Sequence, residues 1–577
     1  MRRLERLSLY FHTIKRLKIA QIYHQLLYKL GTWKTYRVSE IIPTPSDKFH
    51  LLVPQLDESA AYLSRFDTAS LVAGKIRLLH AEYEFPWGVW QCDNASALFN
   101  FNLHYHEFLI ALAIDILNTG SNEHLALFER LINDWLDTCC KIPAKPGRHR
   151  IQRGWYNAWA PYTISLRAIN WLICMDALGN RLSTKTRQRM NQALFVQYQY
   201  LLNNPEKRVL ANHYFENLKT LYILSLYFKD ATTEKAVEIK LCEQVAEQIL
   251  PSGLHFERSP MYHRVLLEGL LRVIVAVRQT DTNCSKALLH AAQQMLSYTM
   301  WLEDGLNRTP LFNDAGDNVA KSPDDLCAAA KEILNINPQP IVQPQGRGYH
   351  AFNMKESNVR AIVDADELGP SYMLGHSHCD CLSFEIFMDG TPLFVNAGTY
   401  QYQGPLRQLF RATLAHNTAM LGDHEQARCW GEHRVAQSCK VLHVERTVAK
   451  LTGRYCTWQG VQHHRVFSIE GTELSVLDSF TGAGDGIIRS CLRVAPGFDV
   501  SQKADNTLLV SSNGQSICTI FPVRSKATLY HDGEKCYYSP EFGLLLQCTL
   551  IEFSWAKQEE PGGYRINFNP KESRIHD

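Results

Sequence analysis

No run of about 18 consecutive apolar residues occurs in this 577-residue chain, so no segment is expected to span a bilayer. A surplus of one charge is also missing: 60 Lys and Arg against 58 Asp and Glu leave +2. A general nucleic-acid binder draws affinity from phosphate neutralisation, so nucleic acid is not expected as a partner. The 16 cysteines include Cys139-Cys140 and Cys379-x-Cys381 but no Cys-x-x-Cys repeated at zinc spacing, which predicts reduced, buried thiols of the cytoplasmic kind. A cleavable leader is not expected either. Met1-Arg2-Arg3-Leu4-Glu5-Arg6 has the charge of one, but Leu7–Ile14 is short, carries Ser8 and His12, and runs into Lys15, Arg16 and Lys18. Residues 3–30 instead read as one basic amphipathic helix within an N-terminal segment 1–50. It is expected to pack on the protein's own body, with peripheral contact to an anionic membrane as the alternative. The location favoured is cytoplasmic or peripheral to the inner membrane, with the periplasm as the alternative.

What is present falls into two parts. From residue 97 to 335 the apolar spacing is helical, over Leu103–Leu117, His124–Thr138, Pro161–Leu178, Thr184–Leu202, His213–Phe228, Glu234–Leu250, Pro260–Gln279 and Ser285–Leu302. Short polar connectors make consecutive helices antiparallel neighbours, and their number and length predict a ring of helix pairs, an α/α toroid over 51–337. A Pro-rich linker, 338–349, follows. Beyond it the period changes, with hairpin signals at Asp389-Gly390, Glu470-Gly471, Asn513-Gly514 and Asp532-Gly533. Residues 350–577 are expected to form an antiparallel β-sandwich, which makes the whole a multidomain α+β protein.

Chemistry concentrates near the start of the second part. Gly375-His376-Ser377-His378-Cys379-Asp380 is followed by Asn396 and by His416-Asn417. In an extended segment His376, His378 and Asp380 project from one face, where they suit one cation or one anionic substrate, or a hydrogen-bonded structural network. Aromatics at 11% and 23 histidines suit sugar binding, since flat rings stack on sugar faces.

Together with Leu382-Ser383-Phe384-Glu385, Pro392–Tyr400 and Phe410–Thr418, the Gly375–Asp380 motif resembles the heparinase II/III-like polysaccharide lyases, which include alginate lyases. Phe101–Tyr105, Ala211–Asn217 and Gly253–His263 agree with the same family in order along the chain. The resemblance implies an α/α toroid followed by a β-sandwich, and β-elimination at a uronic acid of an acidic polysaccharide or oligosaccharide. It implies that Asn212 and His213 neutralise the uronate carboxylate, that Glu216 orients His213, and that Tyr262 and His376 move protons. Tyr262 would then need surroundings that favour phenolate, because a free phenol titrates near pH 10. It also implies one structural zinc ion on His378, Asn396 and His416; the family's middle ligand is aspartate, and the amide of Asn396 is a poorer donor for which Asp380 could compensate. Sugar contacts are expected from Asn102, His104 and Tyr105, from Arg153, Trp155, Tyr156 and Trp159, and from Arg407 and Arg411.

Two other readings compete. His376-x-His378-x-Asp380 also suits a metal-dependent hydrolase, although Cys381 stands where that pattern expects a further histidine. The absent leader favours a glycan-binding or polysaccharide-assembly protein on the lyase scaffold, acting on a glycan being made.

Overall fold

The computed structural model describes residues 3–31, 35–39, 41–46, 49–142, 145–150, 156–280, 284–341, 343–344, 346–482, 485–559 and 561–570. Eight of its helices alternate between two environments. Phe108–Thr119, Pro161–Leu178, Ala211–Tyr227 and Pro260–Val277 are buried around most of their circumference. The helices that follow them, Asn122–Trp135, Thr184–Asn203, Ala231–Gln248 and Lys286–Leu302, bury one side only. A helix buried all round needs neighbours all round. Accordingly each inner helix packs on the next inner helix and on the outer helix that follows it, which builds the toroid. Ser121, Ser183, Asp230, Ser259 and Ser285 cap the starts of these helices with side-chain oxygens.

The Pro161–Leu178 helix has the predicted bounds, and most others shift by a few residues. Leu103–Leu117 is not one helix but parts of two, Ala97–Tyr105 and Phe108–Thr119. His106 breaks it by taking the left-handed conformation, φ 58°, with its ring buried among Trp90, Trp135 and Trp171.

The described residues between Leu334 and Tyr349 form neither helix nor strand. Beyond them stand two eight-stranded antiparallel sheets. One runs Lys526–Tyr530, Thr549–Ala556, Ile487–Val494, Thr391–Phe394, Phe384–Met388, Val359–Asp364, Tyr349–Met354, with Ala419–Leu421 paired to Ile487–Val494. The other runs Lys440–Arg446, Lys450–Cys456, Gln462–Glu470, Glu473–Thr481, Gly562–Phe568, Gln515–Val523, Leu508–Ser512, Asp499–Gln502. Their inner faces share one apolar core that includes Phe384, Ile386, Phe467, Val476, Phe553 and Ile566. Three of the four hairpin signals turn adjacent strands. The fourth does not: Asp532-Gly533 leads into a single helical turn, Glu534–Cys536, and Lys526–Tyr530 pairs with Thr549–Ala556 instead.

The expected single helix over 3–30 is two, α1 (Arg3–Arg16) and α2 (Ile19–Leu30). Lys18 is extended, and its N–H is taken by Gln21 Oε1 at 2.9 Å, which restarts the helix. The break lets the two pieces dock on different domains. Thr35–Val38, placed in the same N-terminal segment, is a strand paired with Gly147–Arg150 of the toroid.

The two sheets are stapled by Arg465. Its guanidinium meets both carboxylate oxygens of its cross-strand partner Asp478, at 2.6 and 2.9 Å, and donates to Leu382 O, Asn417 O and Ser490 Oγ on the other side of the core. Burial works against ionisation of Asp478, yet Arg465 and His463 outweigh it and hold the carboxyl well below the usual range. A depressed carboxyl contributes stability that is complete above its unfolded value, about pH 4, and is lost as pH falls through the folded value. Removing the arginine strands a buried charge, so Arg465→Met is expected to cost about 3–5 kcal/mol at neutral pH. The urea midpoint measures this, and an unchanged midpoint would mean that Arg465 is not the staple.

Candidate active site

Three inner helices start at the same rim of the toroid. Tyr162, His213 and Tyr262 each lie in the first turn of one of them, and all three line one cleft of about 640 Å³ between toroid and sandwich. The backbone pays for this placement. Leu210 and Ala211 hold φ of 64° and 50° immediately before Asn212, and Arg258 holds 55° immediately before Ser259. Such left-handed residues cost on the order of 1–3 kcal/mol each and collect at functional sites. Ser259 Oγ accepts the N–H of Tyr262 at 3.2 Å and donates to Asp314 O at 2.6 Å, which ties the Tyr262 helix to the next loop.

From the sandwich side come His376 and Tyr402, which line the same cleft. The His376 ring lies 4.3 Å from that of Tyr262, centroid to centroid, and the Tyr262 and Tyr402 hydroxyls are 2.6 Å apart. His376 Nδ1 meets Asp314 Oδ2 at 2.9 Å, and His378 Nε2 meets Asp314 Oδ1 at 2.9 Å. Arg407 closes on the same carboxylate with both terminal nitrogens. Burial opposes the charge on Asp314, but Arg407 and the two imidazoles prevail and hold the carboxyl well below the usual range. Asp314 is therefore an acceptor, so the His376 nitrogen that faces it, Nδ1, is the one that carries a hydrogen.

Burial pushes the Tyr262 phenol well above its ordinary value, and the Tyr402 hydroxyl, Asp314 and Glu257 push the same way. The surroundings favour the neutral phenol, contrary to the expected phenolate, because burial and the neighbouring acidic groups both oppose its ionisation. Asn212 is buried, its N–H and Nδ2 both directed to the Glu257 carboxylate at 3.2 and 3.0 Å. His213 Nδ1 meets Glu206 Oε2 at 3.1 Å, and its ring packs 4.5 Å from that of Tyr162. Glu216 does not orient His213. It shares the helix, but its carboxylate is buried against Lys219 one turn on, and Glu206 takes the role instead.

Several expected sugar contacts lie elsewhere. His104 is in the core, accepting from Trp135 Nε1 at 3.1 Å, and burial pulls its pKa down to about 3. Trp159 is buried, stacked on Tyr36 and donating to Cys139 O. Asn102 bonds back to Leu98 O of its own helix and faces a second cavity. Tyr105 does line the cleft. Arg407 and Arg411 are buried and meet no solvent: Arg411 donates to Ser377 O and Leu374 O, so both arginines hold the loop that carries His376. Arg153 and Trp155 lie outside the described residues, as does the side chain of Tyr156.

Residues 371–382 are an irregular loop, not the extended strand expected, which is why His376 and His378 converge on one carboxylate. Glu206, Glu257, Asp314 and Tyr402 were not foreseen. Glu257 sits inside the Gly253–His263 motif and Tyr402 two residues past Tyr400, whereas Glu206 follows a connector and Asp314 a loop without pattern.

For zinc, the donor set fits in part. His378 Nδ1 has no partner, and neither nitrogen of His416 makes a hydrogen bond of good geometry, although the Phe410 backbone approaches that ring. The two rings lie 5.2 Å apart. Asn396 does not fit: its Oδ1 accepts from Ser383 Oγ and Asn417 N at 2.8 and 3.0 Å, which leaves only a donor. Asp380 turns one oxygen to Asn313 N at 2.6 Å. Among the described residues no three His, Cys, Asp or Glu side chains are grouped to hold a metal ion.

Comparison with known proteins adds a lineage. The chain matches the family model described as heparinase II/III N-terminus over residues 31–339 and that described as heparinase II/III-like, C-terminal over 340–561. No curated protein matches in sequence. Among solved structures, a heparinase III is similar at 14% identity and TM-score 0.66, covering 92% of this chain and 88% of its own. A mutant heparan sulfate lyase from Pedobacter heparinus is similar at 14% and 0.56, covering 87% and 82%. A Streptomyces coelicolor chondroitin AC lyase solved with chondroitin sulphate is similar at 11% and 0.52, covering 90% and 81%. These structures share the fold, and the family models cover nearly the whole chain: the protein belongs to the heparinase II/III-like family.

Proposed function

We propose that this protein is a polysaccharide lyase that cleaves a uronic-acid-containing acidic glycan by β-elimination. The observation that carries the reading is the gathering of His213, Tyr262, Tyr402 and the His376–Asp314 pair around one cleft. The solved relatives named for heparan sulfate and chondroitin sulphate favour the same substrate class.

The chemistry makes three demands. The uronate carboxylate must be neutralised, the proton at C5 removed, and the C4–O bond broken with a proton given to the leaving oxygen as the C4=C5 double bond forms. At the rim, inner helices present their positive ends. His213, when protonated, donates from one nitrogen to Glu206 and from the other to the uronate, with the Asn212 amide held by Glu257 behind it. His376, its Nδ1–H fixed on Asp314, offers Nε2 as the base for the C5 proton. Tyr262, kept neutral by burial, is the acid for the leaving oxygen, and the adjoining Tyr402 hydroxyl can return a proton to it.

Tyr262→Phe is expected to lower kcat by about 10²–10⁴-fold, the usual worth of a positioned acid. The assay is the ultraviolet absorbance of the unsaturated product across a panel of acidic polysaccharides. Absence of product from the native protein, with glycan binding retained, would replace the lyase by a binding or assembly role. Ala211→Gly relieves the left-handed strain ahead of His213, so it is expected to raise the urea midpoint, by the equivalent of about 1 kcal/mol of unfolding free energy, and lower kcat. A midpoint and kcat that both stay put would sever the strain from the site. We also propose a structural zinc on His378 and His416, with Asn396 excluded. Metal analysis of protein purified without chelator should find zinc that His416→Ala removes, and metal-free native protein would count against it.

A further inference from the structure

The described residues leave twenty-one large apolar side chains exposed, and ten of them fall within residues 4–30. On α1 they are Leu4, Leu7, Phe11 and Ile14, a single stripe at helical spacing, with Tyr10 beside it. On α2 the stripe is Ile19, Tyr23, Leu26, Leu27 and Leu30. Leu4, Ile19 and Leu30 are 80–86% exposed. Single exposed apolar residues are ordinary on a protein surface, but a cluster of this density on two neighbouring helices marks an interaction surface.

The stripes are not unpacked ends of loose helices, because the opposite faces are spoken for. On α1, Leu9 is buried, Thr13 Oγ1 accepts from Trp430 Nε1 at 3.0 Å, and Arg16 donates to Ala436 O and Ser438 Oγ at 3.0 and 2.9 Å. On α2, Gln21 donates to Val209 O at 3.2 Å, and Arg208 stacks over Tyr28 at 4.3 Å. α1 is thereby seated on the sandwich and α2 on the toroid rim; Tyr10, Ile14 and Leu26 also edge the cleft, while Leu4, Leu7, Phe11, Ile19, Tyr23, Leu27 and Leu30 are exposed clear of it.

Charge selects the occupant. Residues 3–30 hold six Lys and Arg against one Glu, in a chain whose net charge is only +2. The one acid, Glu5, is paired with Arg428, whereas Arg6, Lys15 and Lys29 are exposed. A second copy would set like charge on like charge, while an anionic lipid surface satisfies both the apolar stripes and the flanking cations. Among the described residues no helix is long and apolar enough to cross a membrane, so the pair lies on the surface.

We propose that α1 and α2 form an anchor that seats the protein on an anionic lipid bilayer. Ile14, Leu17, Ile22 and Leu26 of the same helices also wall the cleft that holds Tyr262 and His376. Seating the anchor brings the mouth of the cleft to the lipid headgroups, so the substrate class is an acidic glycan carried at a membrane surface. This last clause rests on the lyase reading, and the anchoring itself does not.

The test is co-sedimentation of the full chain with vesicles of phosphatidylglycerol and phosphatidylcholine, against phosphatidylcholine alone. The native protein is expected to pellet with the anionic vesicles and to be released by salt. The doubly substituted Phe11→Glu, Ile19→Glu protein should bind at least about ten-fold more weakly with an unchanged circular dichroism spectrum, since neither side chain lines the cleft. A native protein that stays in the supernatant overturns the proposal. So does a dimer in sedimentation velocity that the same substitutions dissociate without any vesicle binding, which would make the stripes an interface between copies. Release of unsaturated product from soluble polymer is read separately, so failure of the anchor and failure of the lyase are told apart.

Discussion

Everything at the site leans on the buried carboxylate of Asp314. Its loop follows the last inner and outer helices of the toroid, yet its side chain serves His376, His378 and Arg407, all from the sandwich. Its backbone is committed as well, donating to His376 O at 2.9 Å and accepting from Ser259 Oγ, the cap of the Tyr262 helix. One residue thus sets the distance between the phenol of one domain and the imidazole of the other. A buried carboxylate is affordable only when such partners surround it, and stripping one away costs about 3–5 kcal/mol. The preceding Asn313, at φ 54°, reinforces the clamp by accepting the N–H of His378 and donating to Arg258 O.

The toroid supplies the other half of the geometry through its polarity. Because inner helices alternate with outer ones, successive inner helices run the same way and begin at one rim. Tyr162, His213 and Tyr262 therefore need no shared motif to meet; the ring delivers them. The strain at Leu210, Ala211 and Arg258 falls just ahead of the residues delivered. The bulk of the fold, with its continuous helical and sheet cores, offsets that cost.

The change from helical spacing to strand alternation was legible because each period follows from which face is buried. The motifs singled out His213, Tyr262 and His376, which the structure brings to one cleft, but not the partners that hold them. Glu206 lies on the turn before its helix and Asp314 in a loop, and neither position carries a period that marks it as buried or paired. Glu216 misled because two partners compete for it at the same helical spacing, His213 one turn before and Lys219 one turn after, and the buried carboxylate takes the lysine. The same holds for Arg407 and Arg411, whose charge suggested solvent and sugar. Five donors on a planar fork can equally satisfy the carbonyls of an irregular loop, and here they do.

The contacts that join the two domains are unequal in burial and in strength. Inside, Asp314 and its partners are fully buried, and Leu311 N and Asn396 N converge on the Glu385 carboxylate at 2.9 and 2.7 Å. Outside, Glu247 of the toroid receives Lys18 from the junction of α1 and α2, and Tyr372 from the His376 loop at 2.6 Å. Lys18 and Glu247 are partly exposed, and a pair of that kind is worth about 0–1 kcal/mol. The outer brace therefore yields well before the inner one. The spacing of Tyr262 and His376 rests on the buried Asp314 contacts, while the partly exposed Lys18–Glu247 pair sits at the junction of α1 and α2. Access and chemistry are thus held by separate contacts, and the weaker set sits where the helices face outward.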